Sequence, residues 1–196
     1  MKRIFSFLLL GLLLVVGIGA YQFYRTVTPP SISQSVPFAQ LSPQEQTQRR
    51  QDATKLTEQI QTVVRDAKSG SKKKFTVTAT EDQLNTLLQD RLDTSKFPVR
   101  DLRVGLAPQS LSLQGRMNYQ GYDATGTISG NIAAKNGVLN YQAESLKVQG
   151  FSVGAMRDKA ETEINNVLKK WSGELPGRID RVTIEDRKLT IEGTPK

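Results

Sequence analysis

Residues 111–148 read LSLQGRMNYQGYDATGTISGNIAAKNGVLNYQAESLKV. Apolar or small residues alternate with polar ones through most of this stretch, which is typical of antiparallel strands with one buried face. Asn136-Gly137 lies between two alternating runs and is a strong two-residue hairpin signal. The alternation changes phase near Glu144 and Ser145, which predicts a β-bulge. With the alternating residues at 104–106, the stretch predicts a meander of four consecutive antiparallel strands.

Three helices are expected around this meander. Ser42, Pro43 and Glu45 form a capping box with proline at the first helical position, so a helix begins there and ends before Gly70. Its apolar residues recur every three or four positions and form one narrow stripe: Ala53, Leu56, Ile60, Val63, Val64 and Ala67. The stripe predicts packing against the domain's own sheet, with a short coiled-coil seam as the alternative. A second helix follows Thr80, and a third spans 155–171.

The second and third helices begin an internal repeat. Gln83-Leu84-Asn85-Thr86-Leu87-Leu88 matches Glu163-Ile164-Asn165-Asn166-Val167-Leu168, and each helix precedes a two-strand pattern that ends in glycine. The sequence therefore predicts a helix–β-hairpin unit that is used twice. Asn85 and Asn165 occupy matching positions, and we expect each to hydrogen-bond the backbone of a nearby strand or loop. Convergent patterning of two unrelated segments is the alternative.

An apolar run fills residues 4–24 and contains no charge. A helix needs about 20 apolar residues to cross the hydrocarbon core, so the run predicts a transmembrane anchor. The anchor residues singled out are Ile4, Phe5, Leu8, Leu12, Val16, Tyr21 and Tyr24. A cleaved signal peptide is the alternative, although the run is longer than a usual signal core. Lys2 and Arg3 outweigh Arg25, which predicts a cytoplasmic N-terminus.

The expected organisation is an anchor at 1–25, a proline-rich linker at 26–41, an amphipathic helix at 42–70 and an α+β domain at 71–196. The fold class is α+β, with a transmembrane helix followed by a curved antiparallel β-meander on which amphipathic helices pack. An extended linker of this length reaches up to about 50 Å. The expected location is the cell membrane, with a single pass and an extracytoplasmic domain.

Composition limits the chemistry that the chain can perform. It contains no cysteine and no histidine, so it has no thiolate nucleophile and no imidazole base or metal ligand. Acidic residues stand at turns or helix starts; Glu81 and Asp82, for example, complement a helix dipole at the surface. We therefore expect no enzymatic activity, no catalytic residues, no cofactor and no metal site.

The charge of the chain bears on its partners. The formal net charge is +8, and without Lys2, Arg3 and Arg25 the rest holds 24 basic residues against 19 acidic ones. This excess suits anionic lipid headgroups or acidic envelope polymers, while ordinary solubility is the alternative. The expected partners are membrane lipid, a hydrophobic ligand or an envelope protein. Nucleic acid is not expected outside the cell.

Two sets of residues are candidates for ligand contact. Lys72, Lys73 and Lys74 lie in a loop after the first helix and are candidates for contact with lipid headgroups. Large side chains on the inward faces of the strands, interleaved with glycine and alanine, are candidates for an apolar groove: Leu113, Met117, Ile128 and Tyr141. Close packing of helix on sheet is the alternative use of those small residues.

Several of these segments together resemble a bacterial family pattern. Phe75-Thr-Val-Thr-Ala-Thr-Glu-Asp-Gln-Leu-Asn-Thr-Leu-Leu resembles the opening strand and helix of the YpmS-like proteins and the LmeA-like phospholipid-binding proteins. Leu111-Ser-Leu-Gln-Gly, Asn136-Gly-Val-Leu, Leu146-Lys-Val-Gln-Gly-Phe and the final hairpin ending at Gly193 also fit. The resemblance implies an envelope protein with a lipid-binding domain like half of a tubular lipid-binding module. The alternative function is a non-catalytic module that positions envelope proteins.

Overall fold

The computed structural model describes residues 32, 35–91, 99–119, 122–149, 151–174 and 177–195. After a 3-10 turn at Phe38–Gln40, the helices are α1 (Pro43–Lys68), α2 (Glu81–Arg91) and α3 (Gly154–Glu174). The strands are β1 (Phe75–Thr80), β2 (Val99–Ala107), β3 (Ser110–Tyr119), β4 (Tyr122–Lys135), β5 (Val138–Val148), β6 (Phe151–Ser152), β7 (Gly177–Glu185) and β8 (Lys188–Pro195). The α+β class is confirmed.

The strands form two antiparallel sheets. The larger sheet has the order β2-β3-β4-β5-β6, so the four predicted strands are consecutive neighbours, and the two-residue β6 extends them. The smaller sheet has the order β1-β8-β7. Strand β8 of the last hairpin therefore pairs with β1, although the two strands lie at opposite ends of the domain's sequence. The sequence pattern did not predict this pairing.

Local geometry confirms the hairpin and the bulge. Lys135 pairs with Val138 across the turn, and Asn136 and Gly137 have φ of 55° and 79°, the left-handed region that this turn requires. The register between β4 and β5 then shifts, because Ser129 faces Ser145 while its neighbour Gly130 faces Ala143. Glu144 is thus the extra residue of the bulge.

One hydrophobic core joins the two sheets to α2 and α3. Helix α3 packs along β5, and the side chains of the smaller sheet close the core from the other side. The members with the lowest exposure are Leu102, Ile128, Tyr141, Leu146, Ala160, Ile179 and Ile184. Each strand of the meander turns its alternating apolar residues toward this core, as the sequence pattern predicts.

Helix α1 begins with the predicted capping box. The Ser42 backbone N–H donates to Glu45 Oε2 at 2.9 Å, and the Glu45 N–H donates to Ser42 Oγ at 3.4 Å. Only Ala53 and Leu56 of the apolar stripe are fully buried. The stripe packs on α2 and on the edge strand β1 rather than on the face of a sheet.

The predicted helix–hairpin order is confirmed, since α2 precedes β2–β3 and α3 precedes β7–β8. The two units differ in three dimensions. Helix α2 contacts β2 of its own hairpin, whereas α3 lies along β5, which precedes it in the chain. The two hairpins also belong to different sheets, so the repeat is a repeat of elements rather than of their arrangement.

The apolar run at residues 4–24 lies outside the described residues. Within the ranges that the structure describes, none of the helices is both long enough and apolar enough to cross a bilayer.

Candidate functional site

The residues predicted to line an apolar groove lie in the core. Leu113, Ile128 and Tyr141 have exposed fractions of 5%, 0% and 1%. They belong to one packed cluster with Ile164 and Leu168 of α3. The prediction of an open groove at these three residues is therefore wrong, because the apolar face of α3 fills the space in front of them. The side chain of Met117 lies outside the described part.

Gly130 shows why small residues occur on this sheet. A β-carbon placed on Gly130 would lie 2.1 Å from the Gln142 carbonyl oxygen and 2.8 Å from the Ala143 α-carbon. The space beside this glycine is therefore occupied by the backbone of β5 at its bulge. At this position the missing side chain permits strand packing and leaves no room for a ligand.

Tyr141 is the large polar side chain at the centre of the core. Its hydroxyl donates to the Leu111 carbonyl at 3.2 Å. Burial raises the pKa of the Tyr141 phenol well above its usual range, and the negative charges of Glu144 and Glu161 raise it further. The phenol therefore stays neutral in the folded chain at pH values at which an exposed tyrosine ionises.

Replacing Tyr141 with phenylalanine should make the stability of the chain less sensitive to alkaline pH. The unfolded phenol ionises near pH 10 while the folded one does not, so the parent chain loses stability as pH rises above about 10. Urea midpoints in detergent at pH 8 to 11 should therefore fall more steeply for the parent than for Tyr141→Phe. Parallel pH profiles for the two chains would contradict the buried neutral phenol.

Two asparagine side chains from helices form hydrogen bonds with backbone groups of β2 and β5 that have no strand partner on that side within the described ranges. The Asn85 amide donates to the Val104 carbonyl at 2.9 Å and accepts from the Val104 N–H at 2.8 Å. Asn165 makes the same pair of bonds with Tyr141, both at 2.7 Å. The prediction for the two asparagines is confirmed. Each side chain takes the place of a neighbouring strand.

One turn before each asparagine, a glutamate extends the contact. Glu81 Oε2 accepts from the Leu106 N–H at 2.9 Å, and Glu161 Oε2 accepts from the Ala143 N–H at 2.8 Å. Four helical residues advance about 6 Å, and two strand residues advance about 6.6 Å, so the two spacings nearly match. We call each Glu-x-x-x-Asn pair an edge clamp. The sequence shows this motif in both units, but its meaning was missed.

Two turns of the larger sheet form hydrogen bonds with β7, the outer strand of the smaller sheet. The Ile179 N–H donates to the Gly137 carbonyl at 2.9 Å, and the Gln109 N–H donates to the Ile184 carbonyl at 3.1 Å. The strand edges at these positions and at the edge clamps already have partners. Recognition of a peptide by strand addition is therefore blocked there.

Glu81 is also the centre of a buried charged cluster. It is 2% exposed, so the interpretation of this residue as a surface acid is wrong. Its Oε1 accepts from Arg187 Nη2 at 3.1 Å, and Ser35 of the linker donates to the same oxygen from its backbone N–H, also at 3.1 Å. The neighbouring Asp82 pairs with Arg49 at 3.3 Å. The cluster joins the linker, α1, α2 and the β7–β8 turn.

A small cleft lies beside this cluster. Its lining includes Ser35, Phe38, Arg49, Asn85 and Arg103. Its volume is about 10 Å³, which is room for roughly one water molecule. Sites for drug-sized ligands have volumes of about 300–1,000 Å³, so this cleft is too small for an acyl chain. In the described ranges, no three acidic side chains are close enough to hold a metal ion.

The predicted lysine loop is part of a larger basic surface. Lys72, Lys73 and Lys74 are exposed, and they follow Arg65 and Lys68 at the exposed C-terminal end of α1. We call these five residues the basic end of α1. Asp66 is the one acid between residues 65 and 74. In the part of the chain that the structure describes, none of the five forms an ion pair within 4.0 Å. At longer range the charge of Lys74 helps to lower the pKa of Asp180.

No protein-family model and no curated protein sequence matches this chain. A crystal structure of a lipopolysaccharide binding protein is similar with a TM-score of 0.22 and 12% identity, over 61% of this chain and 40% of that chain. The chain therefore spans less than half of that protein. The resemblance to YpmS-like and LmeA-like proteins stays a prediction.

Proposed function

We propose that this chain is a non-catalytic, single-pass membrane protein with a cytoplasmic N-terminus, whose extracytoplasmic domain contacts anionic lipid headgroups through the basic end of α1. The observation that carries the proposal is the group of five exposed cations at the end of a helix, none of which lies within 4.0 Å of an acidic group among the described residues. We propose contact with lipid headgroups rather than with acyl chains, because Leu113, Ile128 and Tyr141 are buried in the core and leave no open space for an acyl chain.

The positive charge of the basic end of α1 is sufficient for a weak attraction to anionic lipid headgroups. Each lysine or arginine near an anionic membrane surface contributes about 1 kcal/mol, and the attraction falls off within a Debye length of about 8 Å. The negative end of the α1 dipole is equivalent to about half an elementary charge, so it offsets only a small part of the five positive charges. A tethered domain needs little affinity, because the anchor at residues 4–24 would keep it near the bilayer.

A single dye can test this contact, because the chain has no native cysteine. The full chain with Ser71→Cys, labelled with an environment-sensitive dye, is inserted into nanodiscs of neutral lipid or of neutral lipid with about one-third anionic lipid. We expect a shift of the dye signal in the anionic discs that disappears at about 1 M salt, where the Debye length is near 3 Å.

A charge-reversed variant identifies the residues responsible. The variant Lys72→Glu, Lys73→Glu, Lys74→Glu should lose the signal in the anionic discs. A matched control carries the same change of net charge at three other exposed lysines, Lys135, Lys147 and Lys159. This control should keep the signal. Equal dye signals in neutral and anionic discs for the parent chain would refute headgroup contact.

A filled core also favours a second candidate function, in which the domain positions another envelope protein without binding lipid. The same nanodisc experiment separates the two functions. A protein-positioning module should give a dye signal that does not depend on lipid charge. Headgroup contact should give one that does.

A further inference from the structure

The linker is bonded to the domain at Ser35. Ser35 is 8% exposed, although it lies in a segment that the sequence predicts to be an extended spacer. Its N–H donates to Glu81 Oε1 at 3.1 Å, and its hydroxyl lies 3.2 Å from the same oxygen and close to Asp82 Oδ1. The single hydroxyl proton therefore has a choice of two carboxylate acceptors. Hydrogen bonds from a hydroxyl to a carboxylate are stronger than those between neutral groups.

The domain holds these carboxylates in place from several directions. Leu106 of β2 and Arg187 of the β7–β8 turn both donate to Glu81. Arg187 Nη2 also lies 3.9 Å from Asp82 Oδ1 and 3.4 Å from Ser35 Oγ. A buried carboxylate is stable only with such partners. The acceptor site for the serine is thus built by the domain and does not depend on the linker for its position.

The linker also has close contacts at Ile32, Val36 and Phe38. Arg49 Nη1 donates to the Val36 carbonyl at 3.0 Å, and the Arg50 guanidinium lies 5.0 Å from the centre of the Phe38 ring. On the other side of Ser35, a β-carbon on Gly105 would lie 2.4 Å from the Ile32 carbonyl oxygen. Glycine at 105 therefore lets the linker backbone approach β2 closely.

From these contacts we infer that Ser35, Glu81, Asp82 and Arg187 form a latch that locks the linker onto the folded domain and fixes where the membrane tether leaves it. We call these four residues the Ser35 latch. A closed latch limits the distance between the predicted anchor and the domain to the reach of the six residues 26–31. Six extended residues span about 20 Å, against about 50 Å for the whole predicted linker.

The consequence for orientation rests on the proposed function. About 28 Å of helix separates Arg49, which contacts the latch, from Lys68 in the basic end of α1. With a tether of about 20 Å, the domain stays close to the bilayer, and α1 lying along the surface brings its basic end to the headgroups. With an open latch, the domain is free to move farther away and to rotate.

Distances between two spin labels test the latch directly. Labels on Val36→Cys and Lys159→Cys, both at exposed positions, are measured in the full chain in detergent. We expect a narrow distance distribution for this chain. Ser35→Asp, which places a third carboxylate beside Glu81 and Asp82, should broaden it clearly, and Ser35→Ala should broaden it less, because its N–H bond remains.

Hydrogen exchange at the backbone amide of residue 35, which donates to Glu81 Oε1, gives a second measurement. Exchange should rise about tenfold in Ser35→Asp, the effect of losing roughly one strong hydrogen bond. Ser152→Asp is the matched control, since Ser152 is exposed in β6, and it should change neither measurement. Unchanged exchange at the β5 amides in Ser35→Asp shows that the domain is still folded.

An unchanged narrow distribution in Ser35→Asp would overturn the latch, and so would a broad distribution in the chain with native Ser35. Both measurements are made in detergent without a bilayer. The latch and the headgroup contact can therefore fail separately.

Discussion

Replacing Asn85 with alanine is expected to lower the free energy of unfolding by about 2–5 kcal/mol. The side chain is 5% exposed and bonds both the N–H and the carbonyl of Val104. Alanine leaves two buried main-chain groups without these partners, and each costs about 1–3 kcal/mol. The gain in helix propensity from alanine, about 0.5 kcal/mol, offsets little of this. Urea unfolding of the full chain in detergent, followed by circular dichroism, measures the effect.

Two further alanine variants act as controls for this result. Asn166 is an exposed neighbour on α3, and Asn166→Ala should change stability by about 0.5 kcal/mol or less. Asn165→Ala should lie between the two, because Asn165 is only half-buried and water can replace part of its clamp. Equal midpoints for the Asn85 and Asn166 variants would show that the edge clamp contributes nothing to stability.

Short-range patterns were sufficient to predict much of the larger sheet. The turn at Asn136-Gly137, the bulge at Glu144 and the capping box of Ser42 and Glu45 each depend on neighbours in the chain, and all are confirmed. Burial of alternate residues along β3, β4 and β5 followed from the same period of two. These are the features for which local propensity and tertiary structure agree.

Long-range partners could not be predicted in the same way. Strand β1 pairs with β8, so that Phe75 faces Gly193, and nothing in either segment specifies the other. The sequence favours a surface position for Glu81, because a carboxylate in the first turn of a helix complements the helix dipole. Its burial depends on Arg187 and Ser35, which are distant in the chain.

Only part of the candidate site could be predicted, because the rest depends on partners that are distant in the chain. Exposure of the lysine loop followed from composition, whereas a groove or a filled core on the meander depends on where α3 lies. The shared asparagines at 85 and 165 predict a side-chain bond from each helix to the backbone of a nearby strand or loop. The glutamates four residues earlier were part of the same pattern, and their role required the register between helix and strand.

Replacing Gly130 with alanine is expected to destabilise the chain by about 1–3 kcal/mol, because the added methyl group meets backbone atoms of Gln142 and Ala143 that have little freedom to move. Gly173→Ala in α3 is the matched control; a β-carbon there meets nothing within 4 Å, so this change should stabilise the helix by about 0.5–1 kcal/mol. The two glycine variants should therefore shift the urea midpoint in opposite directions. A Gly130→Ala chain as stable as the parent would mean that β4 and β5 separate easily at the bulge. Close strand packing would then not explain the glycine at 130, and a role of this position in an apolar groove would have to be considered again.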